Sequence, residues 1–68
     1  MAEIEKAVAA DAVKQYQIAK RQGDKIQICV QAGLVTAALL QAKDEDDYRE
    51  WKATEHHDCV MAGVPTEP

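Results

Sequence analysis

Residues 24–42 read DKIQICVQAGLVTAALLQA, and from Ile26 to Ala42 no side chain is charged, in a chain where 29% of residues are Asp, Glu, Lys or Arg. Apolar positions recur at helical spacing and Ala and Leu are strong helix formers, which predicts one helix of about five turns. Projected at about 100° per residue, Ile26, Cys29, Val30, Gly33, Ala37 and Leu40 share one side, while Ile28, Ala32, Val35, Leu39 and Ala42 share the other. A helix apolar on two sides is expected in the middle of a fold. Gln27, Gln31 and Gln41 form a narrow polar stripe through which it still reaches water. The run is shorter than the roughly 20 apolar residues of a membrane helix, contains Gln and Thr, and lacks an aromatic belt, so no membrane span is expected.

The flanking segments read as two more helices. Residues 2–22 carry Glu3 and Glu5 early and Lys20 and Arg21 late, complementing the helix dipole, and Gly23 supplies the stop. Ile4, Val8, Ala12, Tyr16 and Ala19 make one thin, alanine-rich face, with Gln15 inside it. Asp24 is placed to cap the middle helix. The connection at Gly23 is so short that the first two helices must run antiparallel. In residues 43–47, KDEDD, Asp44 or Asp46 caps a third helix that runs through Tyr48, Trp51 and Cys59 until Gly63 and Pro65 stop it. The expected architecture is all-α: three helices, antiparallel up-down-up, with the second and third as a hairpin. Residues 1–62 form one domain and 63–68 a flexible or extended tail.

Turning the hairpin about Asp44 sets residues with symmetrical numbers at one height. Leu40 then falls opposite Tyr48, Ala37 opposite Trp51, Gly33 opposite Glu55, and Cys29 opposite Cys59. Large Trp51 meeting small Ala37 and Gly33 permits close packing. Glu55 projects into this face, either bending out over Gly33 or pairing with Lys52 or Lys14. The opposed apolar sides favour a flat or open arrangement, and an unfilled side favours a homodimer.

A chain of 68 residues is too small to draw much stability from its core alone, so some reinforcement is expected. A disulfide between Cys29 and Cys59 meets that need. It implies a periplasmic or secreted protein; two free buried thiols imply a cytoplasmic one. Met1 is followed by AEIEK, which does not read as a secretory leader. The net charge of −4 argues against nucleic acid as partner, since phosphate contacts need clustered Lys and Arg.

The run Glu55, His56, His57, Asp58, Cys59 contains every common metal-ligand type. Neighbouring helical residues point about 100° apart, however, so the two histidines do not converge on one ion. Neither a bound metal nor a cofactor is expected. A cysteine nucleophile needs a base in a cleft, and the sequence carries no Gly-rich phosphate loop, so no enzyme activity is expected. The function read from these residues is a small protein-binding module of inhibitor or adaptor type, stapled by Cys29 and Cys59. Its contact residues are Val13, Tyr16, Ile18 and Trp51, because aromatic side chains dominate contact energies. Two alternatives stay open: a metal or redox protein using Cys29, His56 and Cys59, and a self-assembling homodimeric helical protein.

Overall fold

In the computed structural model, which describes residues 3–64 and their side chains from Ala7 onward, cap chemistry draws the helix boundaries between residues 22 and 63. The helices are α1 (Glu3–Gln22), α2 (Lys25–Gln41) and α3 (Glu45–Met61). The Asp24 carboxylate accepts from the amides of Ile26 and Gln27 at 3.1 and 3.2 Å, answering two orphan donors of α2. Asp44 accepts from the Asp47 amide at 3.3 Å, and Glu45, Asp46 and Asp47 fill the first turn of α3 at the positive end of its dipole. Gly23 and Gly63 end α1 and α3 in the left-handed region, with φ of 77° and 75°. At the end of α2 that role falls to Lys43, φ 59°, whose amide and that of Asp44 return to the carbonyls of Leu40 and Leu39. A side chain stands where glycine is usual. The tail expected beyond Val64 lies outside the described residues, as do Ala2 and the side chain of Ile4.

Contacts between helices establish their directions. Cys29 meets Cys59, Gly33 meets the Glu55 carboxylate, and Leu40 shares a cleft with Tyr48. Each pair is symmetrical about the turn, so α2 and α3 are antiparallel in the expected register. On the other side, Ala9 and Val13 share a groove with Asp47 and Trp51, while Tyr16 reaches Trp51 and Asp58. Numbers rise together along α1 and α3, so these two run parallel and α2 runs against both. The α1 and α3 backbones each pack on α2 and not on one another. The Cα positions span 35 × 27 × 12 Å, a plate one helix thick.

Burial corrects the two-sided reading of α2. Cys29, Ala32, Val35, Thr36, Leu39 and Ala42 are buried, but Ile26, Val30, Ala37 and Leu40, assigned to the α3 side, are exposed. The cause is Tyr16 and Trp51, which lean across the same face of α2 and meet edge to face at 4.9 Å. They close one broad arc, which we call the front, and leave the back open. Trp51 packs on the cluster of Ala9, Tyr16, Ala32, Val35 and Leu39, while Ala37, opposite it in the register, is exposed. Val8 and Gln15, placed on the inner face of α1, are likewise exposed, and Ala9 takes the inner position. Thr36 keeps its buried hydroxyl satisfied by donating to the Ala32 carbonyl at 2.9 Å. Glu55 combines both of its expected placements, lying over Gly33 and 3.6 Å from the Lys52 ammonium.

The Cys29 and Cys59 sulfurs stand at bonding distance, with 4.7 Å between Cα atoms and 30 residues of sequence separation. A bond there restricts the unfolded chain by about 3 to 4 kcal/mol in the loop-entropy account. Urea denaturation with and without reductant is therefore expected to differ by that order. Equal midpoints in the two conditions would remove the bridge as a source of stability.

Candidate functional site

The front of the plate is organised by a hydrogen bond between α1 and α3, whose backbones do not pack on one another. The Tyr16 hydroxyl donates to the Asp58 carboxylate at 2.6 Å, and both residues are buried, at 6% and 9% exposure. Asp58 lies seven residues after Trp51, so the two share one face of α3 at almost the same angle. Tyr16 thus meets the Trp51 ring and the Asp58 carboxylate together. The Lys20 ammonium lies 5.8 Å from the Tyr16 ring centre. Burial, then the hydrogen bond to Asp58, then the charge of Asp58 push the Tyr16 phenol up to about 12. All three favour the protonated phenol.

Toward the α2–α3 turn the front opens into a groove of about 380 Å³. Leu39 and Ala42 line it together with Ala9, Ala10 and Val13 of α1, and Trp51, Asp44 and Asp47 line it from the α3 side. It is apolar along its length and acidic at one end. The charge of Asp44, foremost, pushes the Asp47 carboxyl above its ordinary value. Two carboxylates are thus crowded where a cationic group would relieve both.

Of the contact residues expected from sequence, the structure brings Val13 and Trp51 together in this groove. Tyr16 lies in the core against Trp51, and Ile18 is 38% exposed, about 160° round α1 from Tyr16. Cys29 and Cys59 lie together in the hairpin and His56 is exposed. Bonded sulfurs cannot serve as thiolate ligands, and among the described residues no three of His, Cys, Asp and Glu are grouped to hold a metal ion. Sequence reasoning missed Asp58 as the acceptor for Tyr16. Its seven-residue spacing from Trp51 was the available signal, masked by a run of ligand-type residues that drew attention to metals. No family model, no curated protein and no solved structure matches the chain.

Tyr16→Phe removes the donor and leaves Asp58 buried without it, which costs on the order of 1 to 3 kcal/mol. A group whose pKa is higher in the fold than in the unfolded chain stabilises fully below its unfolded value, here 10.0, and less as pH rises through about 12. Phenolate absorbance of the folded protein is expected to show a step near 12 that Tyr16→Phe abolishes. Loss of no such step would place the ionisation elsewhere.

Proposed function

We propose that the chain is a non-enzymatic protein-binding module of inhibitor or adaptor type, and that it binds through the groove between α1 and α3. The observation that carries this reading is the groove itself: an apolar trough between Val13 and Trp51, floored by Leu39 and closed at one end by Asp44 and Asp47. Its volume is in the range of ligand sites, yet it is open and narrow, which suits a side chain or two of a partner better than an enclosed substrate. Trp is among the residues enriched in binding hot spots, and Trp51 lines this groove. The paired carboxylates favour a partner that carries Lys or Arg next to its apolar anchor, and the net charge of −4 steers such a partner inward.

The cysteine pair is compatible with an oxidising compartment, and we assign the protein to the periplasm or the extracellular space on that basis. None of the described helices is long and apolar enough to cross a membrane.

The test is peptide display on the immobilised, oxidised protein, read out by Trp51 fluorescence. Ligands that pair an apolar side chain with Lys or Arg are expected to emerge, to weaken with added salt, and to lose about tenfold or more in affinity to Val13→Glu. Ligands indifferent to both salt and Val13→Glu would move binding off the groove. A selection that returns nothing above background would oppose the module reading as a whole.

A further inference from the structure

The groove between α1 and α3 takes side chains but has little to offer a backbone. Its walls and floor are helices, whose amides and carbonyls are spent on one another. At the turn the amides are engaged too, that of Asp44 by the Leu39 carbonyl and that of Asp47 by the Asp44 carboxylate. Among the described residues that line the groove, the charged ones are Asp44 and Asp47, both acceptors and both at one end. Resting on the groove as the binding site, we propose that its occupant is an amphipathic helix lying antiparallel to α1 and α3. That helix inserts an apolar side chain and, three or four residues later, a Lys or Arg of its last turn.

Backbone satisfaction selects a helix. An extended segment laid in an apolar trough loses water from its amides and carbonyls and finds no ladder of partners in exchange, which costs binding at each of them. A helix brings its own hydrogen bonds and presents side chains alone. The dimensions agree. Ala9 to Val13 on α1 and Asp47 to Trp51 on α3 each cover four residues, about 6 Å of helix. Beyond them Tyr16 crosses to Trp51 and Asp58 and closes the front. A trough of one turn has room for two neighbouring side chains of a helical face, which are those three or four residues apart.

Charge sets the direction. The apolar anchor belongs between Val13 and Trp51 over Leu39, and the cation one turn away at Asp44 and Asp47. Asp46, the third acid of this stretch, is engaged by Arg49 and does not line the groove. A cation is favoured near the C-terminus of its own helix and disfavoured near the N-terminus. Both conditions are met together when the partner's C-terminal end lies over Asp44 and Asp47. That is the end at which α3 begins, so the partner runs against α3 and against α1, which is parallel to it. The anchor therefore precedes the cation in the partner's sequence.

The test uses three synthetic peptides on one Ala- and Gln-based helical frame, titrated into the full, oxidised chain and followed by the fluorescence of Trp51, its single tryptophan. The first carries Leu and, four residues later, Arg in the last turn; the second exchanges the two; the third is the first with Pro between them. The first is expected to bind, the exchanged peptide about fivefold more weakly, and the Pro peptide about tenfold or more so. Asp47→Asn should weaken the first peptide several-fold and bring the two orders level. The Asp47 side chain is exposed and it is Asp44 that caps α3, so the fold tolerates this change, which far-UV circular dichroism checks. Equal affinity for both orders overturns the direction, and undiminished binding of the Pro peptide overturns the helix; either result leaves the groove standing as a site. No binding of the first peptide up to millimolar concentration overturns the proposal, while the unbiased peptide display decides separately whether the groove binds at all.

Discussion

The bond from Tyr16 to Asp58 is the constraint on which the shape of this protein depends. The α1 and α3 backbones each pack on α2 and not on one another, so what joins them is side chains. The phenol crosses from α1, donates to a buried carboxylate on α3, and stacks its ring edge to face on Trp51. One side chain thereby supplies polar closure and apolar packing at the same place, and an aromatic pair of this kind adds about 0.5 to 1.5 kcal/mol beyond its area. Because both cross-links lie on the front, the front is closed and the back is not. The asymmetry of the plate follows from Tyr16 and its two partners on α3, Trp51 and Asp58.

The same interaction explains why the groove exists. Tyr16 and Trp51 draw α1 and α3 together at the level of Ala32 and Val35, in the middle of the plate. Nearer the α2–α3 turn, the described α1 residues that line the trough are Ala9, Ala10 and Val13, whose side chains are short. The helices therefore bound a trough where the large side chains stop. Asp44 and Asp47 stand at its end because capping α3 requires an acceptor at Asp44 and favours acids in the first turn. The acidity of the groove is thus a by-product of helix chemistry that a partner could exploit.

Much of this was legible in the sequence, for reasons that differ by feature. Helix ends were legible because capping is local: Gly23, Asp24, Asp44 and Gly63 act on backbone groups a few residues away. The α2–α3 register was legible because one turn fixes every level of a hairpin, so Cys29 with Cys59 and Gly33 with Glu55 followed from one assumption. The buried arc of α2 was not legible. A helix apolar all round has no polar face to mark its outside, and periodicity gave no preference between Leu39 and Leu40, of which only Leu39 is buried. What decides is Tyr16, a contact between residues 42 positions apart. The groove was legible only in part, since Val13 and Trp51 could be named while the acids beside them read as cap and first turn of a helix.

Small size drives the remaining logic. A chain this short gains little from its core, and the feature that compensates acts on the unfolded state. Bonding Cys29 to Cys59 restricts the unfolded ensemble and leaves the exposed back of α2 as it was. The staple and the front of the plate therefore act in different places: the bridge limits the unfolded chain, while Tyr16 and Trp51 close the folded one over Ala32 and Val35. Ile26, Val30, Leu34 and Leu40 stay about half exposed on the other side of α2, where neither device reaches them.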